Sequence, residues 1–193
     1  MTDPVPTHPH VKETGEFRLP GDLSRRDLVH RMIRVDHAGE FGAVRIYEGQ
    51  LDVLGGDPEA AAVREMAEKE LEHLRAFEQM MVARHVRPTL LSPLWHVVGY
   101  AVGAATALLG AKAAMAATEA VEDVIEEHYA GQASELGDDE ADLRRTIETF
   151  RMDEIGHRDT AVARGAHEAP AYPFLTAAIK AGSRLAVWLS ERV

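Results

Sequence analysis

The sequence predicts an all-α fold: an antiparallel four-helix bundle with an internal two-fold repeat, followed by a C-terminal amphipathic helix. Three observations carry this reading. Apolar residues recur at helical spacing in successive segments separated by helix breakers. The pattern Ala38-x-Glu40-x6-Tyr47-x-Gly49-Gln50 returns 82 positions later, counted from Glu40 to Glu122, as Ala120-x-Glu122-x6-Tyr129-x-Gly131-Gln132. Each copy is followed at a similar distance by a Glu-x-x-His pair, Glu70/His73 at 30 residues after Glu40 and Glu154/His157 at 32 after Glu122.

The chain of 193 residues falls within the roughly 100–200 residues usual for one domain, so a single domain over residues 23–193 is expected. Residues 1–22 carry Pro4, Pro6, Pro9, Gly15 and Pro20 without an apolar run, and read as a mobile lead-in and not as a signal peptide. His8 and His10 in that segment read as solvated. The first helix is expected from Ser24, where Ser24-x-x-Asp27 forms a capping pattern, to Leu54, where Gly55-Gly56 stops it. Its stripe runs Val29, Ile33, Asp36/His37, Glu40, Val44, Tyr47 and Leu51, so a carboxylate interrupts a largely apolar face. Asp57-Pro58 supplies an N-cap and a first-turn proline for the second helix. That helix sets Val63, Met66, Glu70, His73 and Phe77 on one face and ends before Arg87-Pro88.

From Leu94 to Ala117 nearly every residue is apolar or small, and the run continues into Glu119–Glu122. One long third helix is therefore expected, with Leu108, Met115, Thr118, Ile125 and Tyr129 flanking Glu122. Its length would allow a membrane span. Its glycines and alanines, and the need for its continuation to dock beside Glu40, favour a buried or membrane-skimming helix. Gly137 and Asp138-Asp139 open the fourth helix, whose inner face carries Leu143, Ile147, Phe150, Glu154, His157 and Ala161. Pro170-Ala171-Tyr172-Pro173 breaks it. The last element starts at about residue 174, with Leu175, Ala178/Ile179, Gly182, Leu185/Ala186 and Leu189 on one side and Trp188 at the apolar edge, a pattern that packs on a bundle or lies in a membrane interface.

Composition excludes several classes. A net charge of -11 with no basic stripe argues against a nucleic-acid partner. The absence of cysteine excludes disulfides, thiolate metal sites and iron–sulfur clusters. What remains is oxygen and imidazole chemistry. Spacing of three places the members of each Glu-x-x-His pair on one helix face. Together with Glu40 and Glu122 they give four carboxylates and two imidazoles in a core, the ligand set of ferritin-like di-iron or di-manganese bundles. Four carboxylates cancel the charge of two divalent ions, and the same six groups without metal would be costly to bury. Glu119 and Glu126, one turn either side of Glu122, compete for its role; the repeat selects Glu122. Asp36 and Asp153 are candidates for hydrogen-bonding partners behind the ligands. Tyr129 and His128 are candidates for substrate or redox contacts, although packing is the default for Tyr47 and Tyr129.

The run Arg34-Val35-Asp36-His37-Ala38-Gly39-Glu40, followed by Gly42-Ala43-Val44-Arg45-Ile46-Tyr47, resembles the signature of the demethoxyubiquinone hydroxylase family. The segments Met66 to Leu74, Ala120-Val121-Glu122 with His128-Tyr129, and Phe150 to His157 are similar too, so the resemblance spans about residues 25–193. Phe41 stands where the pattern would have a smaller aliphatic residue. The resemblance implies six metal ligands, Glu40, Glu70, His73, Glu122, Glu154 and His157, binding two iron ions, with manganese the weaker alternative. It implies O2-dependent hydroxylation of a quinol carrying an isoprenoid tail, electrons from an external reductant such as NADH, and a peripheral place on the cytoplasmic face of the cell membrane. It also admits a lipid-binding partner protein and a homo-oligomer. The competing expectation is a ferritin-like iron-storage or peroxide-scavenging protein.

Overall fold

A computed structural model describes residues 23–193; the lead-in expected over residues 1–22 lies outside the described residues. The described residues form six α-helices and no strand, which bears out the all-α helical bundle. Helix α1 spans Arg25–Leu54 and α2 Ala60–Arg84; α3 spans Ser92–Leu108 and α4 Ala111–Glu135; α5 spans Ala141–Ala163 and α6 Tyr172–Ser190. Ser24 caps α1 by accepting the Asp27 amide, and Gly55, at φ 54°, ends it in a conformation that disfavours a side chain.

The chain folds as two matching halves. α1 packs on α2 and α3, and α4 packs on α5 and α6. α1, α2, α4 and α5 carry the bundle core, with α3 lying along α1 and α6 along α4. Two apolar clusters hold the bundle, one around Ile33, Phe77, Leu143 and Ile147, the other around Ala43, Val63, Met66 and Met115. Each fully buried aliphatic or aromatic side chain contributes about 1.5–3 kcal/mol by leaving water.

The expected single third helix is two. It breaks at Leu109–Gly110, where Gly110 takes φ 111°, so the apolar run divides between α3 and the buried start of α4. An uninterrupted row of small apolar residues carries no cap or proline to announce that turn. Leu108, expected beside Glu122, is consequently exposed on the outer end of α3. No helix among the described residues is long and apolar enough to cross a membrane.

α3 lies unusually close to α1 because its glycines permit it. A methyl on Gly103 would overlap the carbonyl of Ile46, and one on Gly99 would meet the Gly42 carbonyl at 2.9 Å. The second helix begins at Ala60, two residues later than the Asp57-Pro58 signal suggests, because Asp57 spends its carboxylate on the Glu59 amide and caps a turn. α6 begins at Tyr172 with Pro173 in its first turn. It buries Thr176 and Ser190 and leaves Phe174, Leu185 and Trp188 exposed, so of the Leu185/Ala186 pair it is the half-buried Ala186 that turns inward.

Candidate metal centre

α1, α2, α4 and α5 each bring their interrupting polar residues to one level of the bundle. Glu40, Glu70, His73, Glu122 and Glu154 have no exposed surface and His157 retains 7%. Two overlapping groups result, Glu40/Glu70/His73/Glu154 and Glu70/Glu122/Glu154/His157, in each of which one candidate ligand atom per residue lies within 4.8 Å of the others.

The distances separate the carboxylates into two kinds. Glu154 presents Oε1 to His73 Nδ1 at 3.1 Å and Oε2 to His157 Nδ1 at 3.3 Å. Glu70 presents Oε2 to His73 Nδ1 at 3.9 Å and Oε1 to His157 Nδ1 at 2.9 Å. Each therefore spans both groups. Glu40 faces only the His73 side, at 3.6 Å, and Glu122 belongs only to the His157 group. The arrangement follows the sequence repeat: two spanning carboxylates from the Glu-x-x-His helices and two terminal ones from the repeated stripe.

Glu119 and Glu126 are elsewhere. Glu119 accepts from Tyr172 and pairs with His167, holding the turn before α6, and Glu126 pairs with Arg151 at 2.6 Å. Asp153 sits behind His73, its Oδ2 at 3.1 Å from Nε2, while Lys69 approaches the same oxygen at 3.6 Å. A carboxylate in that position fixes the imidazole so that Nδ1 faces the centre. The Phe150 ring stacks on His73 with centroids 3.9 Å apart and shields that side.

The role of the two tyrosines was not legible as more than packing. Tyr47 donates its hydroxyl to Glu122 and Tyr129 donates to Glu40, so each repeat's tyrosine serves the other repeat's glutamate. The signal was the seven-residue interval. It sets the tyrosine two turns from its own glutamate, and the antiparallel pairing of α1 with α4 then lays it opposite the other. The repeated glutamines also differ in their partners. Gln50 donates to the Ala114 carbonyl and Thr118, whereas Gln132 donates to Asp36, which His128 also approaches.

The residues fit a pair of divalent ions. Glu40 Oε2, both oxygens of Glu70, Glu122 Oε2, Glu154 Oε1 and His73 Nδ1 are buried without a hydrogen-bond partner, although such atoms ordinarily find one. Without a cation, burial drives Glu70 and Glu122 well above the usual carboxylate range, and repulsion from Glu154 adds to it. Burial also opposes charge on Glu154, but the approach of the His157 and His73 imidazoles to its two oxygens overcomes this and holds it at about 2. Hard oxygen and imidazole donors without thiolate suit iron or manganese.

An apolar cavity of about 220 Å³ lies beside the centre. α1 and α4 form its floor, where Gly39 and Val121 adjoin Glu40 and Glu122, and α3 and α6 form its walls. Trp95 Nε1 donates to Ser190 Oγ at 3.1 Å, joining the start of α3 to the end of α6. A methyl on Gly39, Gly42 or Gly182 would meet no protein atom within 4 Å, so these glycines leave the cavity open.

Comparison with known proteins agrees with this architecture. The family model described as ubiquinone biosynthesis protein COQ7 matches residues 27–190. The chain is 54% identical over 192 residues to the 3-demethoxyubiquinol 3-hydroxylase of Rhodospirillum rubrum, covering 99% of this chain and 91% of that protein. It is 46% identical over 184 residues to the human mitochondrial NADPH-dependent 3-demethoxyubiquinone 3-hydroxylase, covering 92% and 85%. It is 41% identical over 183 residues to the mitochondrial 5-demethoxyubiquinone hydroxylase of Saccharomyces cerevisiae, covering 86% and 78%. The matches run through both repeats and both Glu-x-x-His helices, and the chain belongs to the ubiquinone biosynthesis protein COQ7 family.

Proposed function

We propose that this protein is a di-iron monooxygenase that uses O2 to hydroxylate demethoxyubiquinol, a methoxy-methyl-benzoquinol with an isoprenoid tail, in ubiquinone biosynthesis. The observation that carries the reading is the cluster of six buried acid and imidazole groups, with partnerless atoms facing one another, set beside an apolar cavity. Glu40, Glu70 and His73 with Glu154 would hold one ion, and Glu122, Glu154 and His157 with Glu70 the other. Iron bound there supplies the one-electron steps by which O2 is reduced.

The protein's own residues arrange the rest. Tyr47 and Tyr129 keep their hydroxyl protons, because burial and the adjoining carboxylates push both phenols well above their usual range. They therefore remain hydrogen-bond donors that fix the two terminal glutamates. Asp153 fixes the His73 ring. The cavity walls admit an apolar ring and tail and exclude water from the reacting position. The electrons come from an external reductant such as NADH, since the sequence carries no nicotinamide- or flavin-binding glycine fingerprint.

The substrate's tail supports a peripheral place on the cytoplasmic face of the cell membrane. The outer faces of α3 and α6, with Leu94, Val97, Leu108, Phe174, Leu185 and Trp188 exposed, flank the cavity as an interfacial anchor would. A lipid-binding partner protein or a second copy of the chain would meet the same face. The test is genetic and chemical together: a deletion strain should accumulate the quinone lacking one ring oxygen, and the intact gene, but not one encoding Glu122→Ala, should clear it. Clearance by the Glu122→Ala gene, or no accumulation, would reject the assignment.

A further inference from the structure

Around the repeated glutamines the two halves of the chain differ in the polar groups they set against the core. The offset that lays Glu40 on Glu122, Tyr47 on Tyr129 and Gln50 on Gln132 lays Asp36 on Thr118 and His128 on Ile46. In one half Gln50 meets a hydroxyl, 3.3 Å from Thr118. In the other, Gln132 Nε2 donates to Asp36 Oδ1 at 2.7 Å, and His128 Nε2 lies 3.1 Å from the same oxygen and 2.8 Å from Gln132 Nε2. Thr118 and Ile46 show that the bundle packs without an acid and an imidazole at these positions. The acid and imidazole are therefore an addition to one half only.

Their placement joins water to the centre. His128 and Gln132 line an opening of about 190 Å³, with Arg31, Glu127, Glu135 and Glu191 around it, and the His128 side chain is 18% exposed. Asp36 is 2% exposed, its Oδ2 is buried without a partner, and it lies one turn before Glu40 on the same face of α1. Tyr129, next to His128 in the chain, donates to Glu40. Outward there is water; inward there is the Glu40 and Tyr129 corner of the centre.

We propose that His128 and Asp36 form a proton-delivery relay from this opening to the Glu40 corner. The inference rests on the hydroxylase reading above. Hydroxylation converts a ring C–H, O2, two electrons and two protons into a ring C–OH and one water, the electrons coming from a reduced nicotinamide or an equivalent two-electron donor. The protons must reach a site whose other side is an apolar cavity. Only one hydrogen fits between His128 Nε2 and Asp36 Oδ1. His128 takes a proton from water on Nδ1, the Nε2 hydrogen passes to Asp36, and Asp36 releases it inward. Burial raises Asp36, while the hydrogen bonds from His128 and Gln132 oppose that rise. Burial also disfavours charge on His128, but its bond to Asp36 outweighs this, and Glu191 and Glu135 add to the rise. Both partners thus hold protons more readily than free side chains do, as a relay requires.

The test uses full-length holoenzyme, reduced without O2 and then mixed with O2 and a short-chain methoxyquinol. His128→Ala is expected to keep its metal content and form product about tenfold more slowly or worse. It should show an altered pH profile and a larger solvent deuterium effect, and recover when free imidazole, which fits the opening, is added. Asp36→Asn is expected to be slow as well, with no recovery in imidazole. In metal-free protein, the His128 ring followed by NMR should titrate lower in Asp36→Asn than in wild type. Wild-type rates in either variant overturn the relay, as does a slow, metal-replete His128→Ala that imidazole does not restore and whose pH profile is unchanged. Should His128→Ala fail to fold, the near-isosteric Asp36→Asn decides alone. A wild-type chain that binds iron and makes no product overturns both readings, whereas an active wild type with unaffected variants overturns the relay only.

Discussion

Gly49 and Gly131 occupy the same place in the repeated Tyr-x-Gly-Gln motif, and the fold makes their replacement by alanine opposite in sign. A Cβ on Gly49 would overlap the Tyr100 carbonyl and come within 2.8 Å of the Ala104 amide nitrogen, both backbone atoms of α3. Backbone cannot swing aside as a side chain does. Gly49→Ala therefore forces α3 away from α1, at the roughly 1–3 kcal/mol typical of overpacking. Gly131 meets nothing within 4 Å and lies within α4, four residues before its end. Gly131→Ala removes backbone freedom from the unfolded chain and is expected to stabilise by about 0.5–1 kcal/mol. The two variants should differ by about 1.5–4 kcal/mol, or roughly 3–16 °C in Tm at the 2–4 °C per kcal/mol usual for a chain of this size. Differential scanning calorimetry of both proteins in the same metal state checks this. Equal shifts, or a more stable Gly49→Ala, would refute the close α1–α3 packing.

Four further outcomes follow from the same structure. Asp153→Asn should weaken metal binding at the His73 side by about 10–100-fold, with the His157 side less affected, as read by stepwise Fe(II) or Co(II) titration. Chelation should lower stability: two sites each held at 1,000 times Kd contribute about 8 kcal/mol together, so Tm should fall by some 15–30 °C on metal removal. Metal uptake should release protons, because burial raises Glu70 and Glu122 well above their usual range in the metal-free protein and any proton they hold must leave to bind the ion. Affinity should accordingly fall as the pH is lowered, and calorimetry in buffers of different ionisation enthalpy measures the protons released. Val97→Asp with Trp188→Ser should reduce sedimentation with anionic vesicles severalfold while metal content stays unchanged, since both side chains are exposed away from the centre.

Much of the candidate centre could be read in the sequence because acid and imidazole groups on apolar stripes form a pattern that packing does not impose. A carboxylate on an apolar stripe is costly, and finding Glu40 and Glu122 in matched surroundings singles them out from Glu119 and Glu126. The helix boundaries with chemical markers, Ser24 and Gly55, stand where the sequence puts them. The Leu109–Gly110 break was hidden because an alanine-rich row satisfies a helix on either side of it, and only the docking of Gly99 and Gly103 on α1 explains why the chain turns. The exchange of Tyr47 and Tyr129 between glutamates depends on how α1 and α4 lie against each other, which no single helix encodes. On α6 the spacing allows Leu185 or Ala186 at one inner position, and the fold turns Ala186 inward and leaves Leu185 exposed for a related reason. Its row of small residues offers two apolar sides, and the fold buries the one bearing Thr176 and Ser190.

Single turnover under isotopically labelled O2 tests the central claim most directly. Protein loaded anaerobically with Fe(II), reduced, and mixed with a short-chain methoxyquinol should yield a hydroxylated ring carrying one oxygen atom from O2, in proportion to the number of two-iron centres. Oxidation of the iron with ferric accumulation and no labelled product would contradict the account and place the chain with iron-storing bundles instead.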